Sequence, residues 1–224
     1  MYCSNKNDCR LFFNEDPSID ETSKKTAEYL FNVFKGREGN IIISIAGPGG
    51  SGKSTFANQL SKYLTDSQIL HLDDYRKPRY QRIESGLLGS NPSANNVELL
   101  IEHIKNIITG ISFNKPLYNP VTGSSDSFEK YSPQKFNILE GELSLSEELI
   151  GLSDFIVILN CSWLIQFNNR FKRDTLQRRY SIKKAIAVFI RSNILDFIKF
   201  YRPNYNFAHL IIKRISKNRY RIIN

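Results

Sequence analysis

The chain has 224 residues, 41% of them hydrophobic, which suits one α/β domain with a sizeable core and excludes a chain disordered throughout. Its three cysteines, Cys3, Cys9 and Cys161, are scattered; this excludes a disulfide framework or a cysteine metal centre and points to a reducing, cytoplasmic setting, and no apolar run is long enough to span a membrane. The formal net charge of +9 is unevenly placed, since fifteen Lys/Arg face two acids from Ile165 onward while sixteen Lys/Arg and twenty acids precede it, an asymmetry that suits a polyphosphate as well as a solvated basic helix.

Residues 1–17 read as an irregular lead-in. From Ser18 to Phe34, apolar residues at Ala27, Leu30, Phe31 and Phe34 predict a helix docked on the domain. Residues 1–39 are therefore taken as an N-terminal extension and 40–224 as the main domain. Ile41–Ala46 is a β-branched run without alternation, the pattern of a strand buried on both faces. Lys53–Leu64 has Phe56, Ala57, Leu60 and Leu64 on one helical face. A second strand is predicted over Gln68–Leu72, a polar excursion over 75–94 and a helix over Asn96–Ile108. The stretch Ser112–Pro133, rich in Pro, Gly, Ser and Asp, reads as a loop. Phe136–Leu139 and Phe155–Leu159 read as core strands. Helices are expected around 145–151, 163–173 and 182–200, a strand over Leu210–Lys213, and an edge strand over Tyr220–Ile223. Strands alternating with helices predict a three-layer α/β/α fold with a mostly parallel sheet, in which ligands sit beyond the carboxyl ends of the strands.

Between the first strand and its helix lies Gly47-Pro48-Gly49-Gly50-Ser51-Gly52-Lys53-Ser54, followed by Thr55. It matches G-x-x-x-x-G-K-[ST], the loop of P-loop NTPases. Small residues let successive backbone N–H groups turn inward toward phosphate oxygens, and the helix that follows adds its positive end. Lys53 reaches the β- and γ-phosphates, and the Ser54 hydroxyl ligates Mg²⁺. ATP with Mg²⁺ is the expected ligand. Asn5-Lys6-Asn7-Asp8 spells the guanine-reading N-K-x-D, but it precedes the phosphate loop and follows no buried strand, so it reads as chance.

The second strand ends in Asp73-Asp74-Tyr75. A carboxylate there can accept the proton of an attacking hydroxyl, and Asp73 is the candidate base. Asp74 either assists metal or substrate or caps the following turn. Phe136-Asn137-Ile138-Leu139-Glu140-Gly141 ends in the acid expected of a Walker-B strand, with Glu140 holding Mg²⁺ directly or through water. Arg170, Lys172, Arg173, Arg178 and Arg179 crowd around Asp174. The arginine guanidinium groups among them suit the charge that phosphoryl transfer develops, and a basic helical lid over about 173–184 would exclude water.

With these residues placed, the chain resembles the uridine kinase and phosphoribulokinase-like family of P-loop kinases from about Ile41 to Lys213. Leu72-Asp73-Asp74-Tyr75-Arg76-Lys77-Pro78 is similar to the family's L-D-D-F-Y-K-P, whose first Asp is the catalytic base. Lys115-Pro116-Leu117-Tyr118-Asn119 resembles its P-x-Y-D element, which implies that Tyr118 lines the acceptor pocket. Phe171-Lys172-Arg173-Asp174, with Arg178 and Ser181, is similar to its lid. Pro203, Ala208, Ile211 and Ile212 fit its closing segment. The resemblance implies transfer of the γ-phosphoryl group to a hydroxyl of a small metabolite, a nucleoside first, with Asp73, Lys53, Arg170, Arg173 and Arg178 catalytic and Asp74, Tyr75 and Tyr118 at the substrate. The alternatives are another acceptor (pantothenate, nicotinamide riboside, a sugar phosphate or glycerate) or a non-catalytic nucleotide-binding protein. Five positions depart from the pattern: Asn119, Gly123 in place of a base-reading His, Arg179 and Tyr180 in the lid, and His209. Nucleic acid is not expected as a partner, because the aromatics of the basic quarter stand at helical spacing with Ile and Leu, as core residues do. A homo-oligomer is left open, with the first 36 residues either packed on the sheet or forming a subunit contact.

Overall fold

The computed structural model describes residues 16–87 and 90–223. The 1–17 lead-in, apart from Asp16 and Pro17, and the N-K-x-D at 5–8 lie outside the described residues.

Six strands form one sheet in the order β2-β5-β1-β6-β7-β8. They are β1 (Ile41–Ala46), β2 (Ser67–His71), β5 (Phe136–Glu140), β6 (Phe155–Cys161), β7 (Leu210–Ser216) and β8 (Arg219–Ile222), with β3 (Phe113–Asn119) and β4 (Ser124–Tyr131) paired apart as a hairpin. The first five in spatial order are parallel and β8 is antiparallel at the edge. Every residue of β1 is buried, as expected of a central strand covered on both faces. Its side chains alternate. Ile41, Ile43 and Ile45 pack with α1 (Ile19–Val33) and α2 (Lys53–Tyr63), through Ala27, Leu30, Phe56 and Leu60. Ile42 packs with α4 (Val97–Ile108) through Leu100, Ile104 and Ile107, while Ala46 meets Phe197 and Tyr201 on the same face. The result is the expected three-layer α/β/α arrangement. Helix α1 starts at its N-cap Ser18, whose hydroxyl accepts from the Glu21 N–H at 3.2 Å.

Two expectations are corrected. The stretch 112–133 is the antiparallel β3–β4 hairpin, not a loop. Most of Ser124–Lys130 is exposed, so the stretch lacks the apolar alternation of a half-buried strand, and its place is fixed by contacts distant in sequence. No α-helix forms over 145–151; two short 3₁₀ turns, Glu142–Leu145 and Ile150–Leu152, bury Leu143, Leu145 and Leu149 instead. The expected 75–94 excursion contains the short helix α3 (Arg79–Glu84). Helix α5 (Trp163–Lys172) runs into a π-helical turn at Arg173–Gln177, and the helix from Ile182 to Phe200 (α6, Ile182–Phe189; α7, Phe197–Phe200) has a π-helical stretch at Ile190–Asp196. Among the described residues, no helix is long and apolar enough to cross a membrane.

Candidate active site

In a parallel sheet all carboxyl ends lie on one side, so β1, β2 and β5 deliver their terminal residues to one cleft. Strand β1 ends at Ala46 and passes into the phosphate loop. Gly47 has φ +140, and a methyl group there would drive into the Leu159 carbonyl oxygen of β6. A Cβ at Gly49 would stand 2.6 Å from Arg170 Nη1. The loop is clasped from outside by two side-chain amides: Asn193 Nδ2 donates to the Gly49 carbonyl at 2.7 Å and Asn169 Nδ2 to the Gly50 carbonyl at 2.9 Å. With those carbonyls tied to the surrounding helices, the loop's N–H groups are left to serve its concave side. Lys53 Nζ donates to the Pro48 carbonyl at 3.2 Å, spanning the loop. The buried Ser51 hydroxyl has no partner among the described residues. Asn169 and Asn193 were not singled out in the sequence, since a lone Asn within a helical pattern carries no local signal.

Ser54, in the first turn of α2, donates to Glu140 Oε1 at 3.1 Å. Glu140 is buried at the end of β5, and its Oε2 stands 2.9 Å from His71 Nδ1. The parallel register places His71 directly beside Glu140, so the two side chains share a face. The Glu140 hydrogen bond raises the His71 pKa against the opposing effect of burial. His71 is a site residue the sequence reading passed over; its signal was the register of two strand ends, which is visible only once the strands are paired. The donor set, one carboxylate and one hydroxyl beside a cradle of N–H groups, fits a Mg²⁺ ion that takes its remaining ligands from phosphates and water.

Asp73 follows β2 in a short 3₁₀ turn, Leu72–Tyr75, with its side chain 63% exposed and Oδ1 2.7 Å from Arg76 Nη2. Its surroundings push its pKa up by desolvation, but the charges of Arg76, Lys53, Arg173 and Arg178 prevail and hold it below the ordinary value. The charges of Lys53, Arg173 and Arg178 thus reach Asp73, beside its direct pairing with Arg76.

The arginines are organised by Asp174, which is fully buried. It lies 3.0 Å from Arg178 Nη1, 3.5 Å from Arg170 Nε and 3.9 Å from Arg173 Nε. Arg170 is itself buried and bonds Asn193 Oδ1, which sets its guanidinium against the phosphate loop. Burial pushes the Arg173 pKa down to about 10, helped by the neighbouring Arg178 and Arg170. Positive charge is thus concentrated beside the loop, where a phosphate would relieve the mutual repulsion.

The acceptor side differs from expectation at two residues. Tyr75 is buried in the core with its hydroxyl 2.7 Å from His103 Nδ1, so packing claims it, not substrate. The Asp74 carboxylate is committed to the hairpin: Oδ2 accepts from Lys115 Nζ at 3.0 Å and Oδ1 from the Tyr118 N–H at 3.2 Å. Tyr118 lies beside Arg76 and Arg82, with the two guanidinium carbons 6.0 and 5.7 Å from its ring centre, and its hydroxyl accepts from Arg82 Nη2 at 2.6 Å. His209, in the closing segment, is structural: it stacks on Phe155 at 5.0 Å, and its Nδ1 accepts from the Ile156 N–H.

A family model described as "Phosphoribulokinase / Uridine kinase family" matches residues 42–221. A phosphoribulokinase from Synechocystis sp. is 33% identical over 77% of this chain and 53% of its own length. A uridine kinase from Haemophilus influenzae is 29% identical over 80% of this chain and 89% of its own. The chain thus spans about half the length of the curated phosphoribulokinase it matches. In fold it is similar to a D-glycerate 3-kinase from Cryptococcus neoformans, with a TM-score of 0.62 at 11% identity, over 88% of this chain and 94% of that one.

Proposed function

Because this chain belongs to the phosphoribulokinase/uridine kinase family, we propose that it transfers the γ-phosphoryl group of ATP to a hydroxyl of a small metabolite. The observation that carries the proposal is the phosphate loop between β1 and α2, with Ser54 on the Glu140 carboxylate at 3.1 Å and Asp73 in the turn after the adjoining strand β2. The kinase unit is residues 40–224, with 1–39 as an extension whose helix α1 packs on α2, and a cytoplasmic setting belongs to the same proposal.

The loop residues Gly47 to Thr55 hold the triphosphate through their N–H groups, and Lys53 leaves the Pro48 carbonyl for the phosphate oxygens. Ser54 and Glu140 would hold Mg²⁺, which would neutralise phosphate charge during transfer. Asp73, ionised at neutral pH, takes the proton of the acceptor hydroxyl as its oxygen attacks the γ-phosphorus. The bond from that phosphorus to the β,γ-bridging oxygen breaks, and ADP leaves. Arg170, Arg173 and Arg178, fixed through Asp174, stabilise charge on the equatorial oxygens. The segment over about 173–184 closes as a lid and keeps water from the γ-phosphate. Tyr118 helps seat the acceptor. The two family likenesses offer a nucleoside and a phosphorylated sugar as acceptors, and both present a hydroxyl to Asp73.

The test is ADP release from MgATP with and without nucleosides, sugar phosphates, vitamins and glycerate, with GTP as the competing donor. Acceptor-dependent ADP release is expected with ATP. MgATP binding with no acceptor-dependent release from any of them would leave a nucleotide-binding protein and refute the kinase.

A further inference from the structure

Asn193 bonds both the phosphate loop and a candidate catalytic arginine, and the mechanism above gives it no task. Its Nδ2 donates to the Gly49 carbonyl at 2.7 Å and to Gln166 Oε1 at 3.1 Å, while its Oδ1 accepts from Arg170 Nη1. The side chain is buried, so these bonds form away from water. The amide can stand in one orientation only. A carbonyl can only accept and a guanidinium can only donate, so the nitrogen faces Gly49 and the oxygen faces Arg170. Gly49 permits the close approach, since a Cβ there would stand 3.0 Å from Asn193 Oδ1 and 2.6 Å from Arg170 Nη1.

Asn193 reaches the loop because of the backbone on which it stands. It lies within the π-helical stretch Ile190–Asp196. Phe189, Asn193 and Phe197, spaced four residues apart, are all buried. In an α-helix four residues overshoot one turn and drift by about 40° at each step. The wider π turns, with bonds from i to i+5, take up that drift and keep all three on the inner face. Phe189 packs edge-on against Phe167 of α5, and Phe197 packs against Tyr201, so the amide between them is anchored on either side. A peptide unit is planar and trans, so its C=O and N–H point opposite ways. With the Gly49 carbonyl held outward by Asn193, the Gly50 N–H faces the concave side of the loop.

We propose that Asn193 is a positioning residue whose amide has two separable tasks. Its nitrogen fixes the Gly49–Gly50 peptide in the orientation that binds the triphosphate. Its oxygen aims Arg170, which also lies 3.5 Å from Asp174, at the group being transferred. One rigid amide performs both, so loop shape and arginine aim are locked together. The nitrogen acts on the bound ground state and the oxygen on the transition state. The inference rests on the phosphotransfer proposed above, but the affinity arm of its test needs no turnover, so the two readings fail separately.

The experiment measures the MgATP dissociation constant by calorimetry, kcat in acceptor-dependent ADP release, and Tm. The variants are Asn193→Leu and Asn193→Asp, each alone and combined with Arg170→Ala. Both substitutes are close to Asn in shape. Leu makes neither bond. Its Kd should rise by about fivefold, as for a neutral hydrogen bond, and its kcat should fall by about tenfold or more, as when a transition-state donor is misplaced. Asp still accepts from Arg170 but sets a carboxylate against the Gly49 carbonyl, so Kd should rise more than with Leu and kcat should fall less. With Arg170→Ala in place, Asn193→Leu should lower kcat no further while still raising Kd. A merely structural role predicts parallel losses in affinity, kcat and Tm, with one variant worse in all three, and that result would overturn the inference. An unchanged Kd in both variants would overturn it too. Should Asn193→Leu fail to fold, the Asp variant carries the test together with Gln166→Leu, a change at a half-buried site that strips one Nδ2 hydrogen of its acceptor. Gln166→Leu should raise Kd by about twofold, and no rise in either would refute the role. A wild type inert toward every acceptor refutes the phosphotransfer, and the Kd values then decide for Asn193.

Discussion

The two ends of the cleft are built by different means. At the phosphate end, shape comes from the main chain: Gly47 at φ +140 lies flush against the Leu159 carbonyl, and two side-chain amides hold the carbonyls of Gly49 and Gly50 outward. At the proposed acceptor end, shape comes from side chains. Asp74 clasps Lys115 and Tyr118, Arg79 covers Gly123, and Arg82 holds the Tyr118 hydroxyl. Main-chain geometry admits few residue types, because only small residues tolerate the close approaches. Side-chain clasps admit many solutions, so the acceptor end can change its chemistry while the phosphate end stays fixed.

The largest expected effect falls where the two ends meet. Asp174→Asn removes the fully buried charge on which Arg170, Arg173 and Arg178 converge. Leaving the buried Arg170 charge unpaired costs about 3–5 kcal/mol, so denaturant unfolding should show a loss of that order. If stability held while turnover fell, Asp174 would serve to aim the arginines and not to hold the fold.

Gly47→Ala separates the ends next. The left-handed φ alone costs about 1–3 kcal/mol, and the clash with Leu159 adds to it. MgATP affinity by calorimetry should drop by about tenfold or more, 1.4 kcal/mol per decade. Arg79→Ala is the mirror experiment: acceptor KM should rise by a few-fold while MgATP affinity stays. If either variant disturbed both ligands equally, the division between backbone-built and side-chain-built ends would not hold.

The smallest effect is on the pH profile. The pKa of Asp73 is held below its ordinary value, so its carboxylate persists to lower pH than usual. The acid limb of kcat/KM should therefore lie below about 4, the usual aspartate value. Any stability drawn from this depression is present above the unfolded pKa and lost as pH falls through the folded one. Arg76→Ala should move the limb upward. A wild-type limb near neutrality would assign the base elsewhere.

The same division explains what the sequence disclosed. Strands β1, β5 and β6 were readable because each is buried on both faces and so carries a mostly apolar stretch without polar alternation, despite Ser44 in β1 and Asn137 in β5. The phosphate loop was readable because its glycines and lysine are contiguous. The hairpin at 113–131 was not, because β4 is largely exposed and β3 is held by Asp74, some forty residues away in sequence. The helix expected around 145–151 does not form, since Leu143, Leu145 and Leu149 are buried by turns, with the Ser144 hydroxyl bonding the Gly141 carbonyl. Asn169, Asn193 and His71 escaped notice for one reason: each acquires its partner only through tertiary pairing.

The claim on which the account turns is that Asp73 removes the acceptor proton while the loop independently holds MgATP. Asp73→Asn, assayed for acceptor-dependent ADP release and in parallel for MgATP affinity, tests it directly. Turnover should fall by a factor on the order of 10²–10⁴, the usual contribution of a positioned base, with MgATP binding retained. Turnover at the wild-type rate would contradict it.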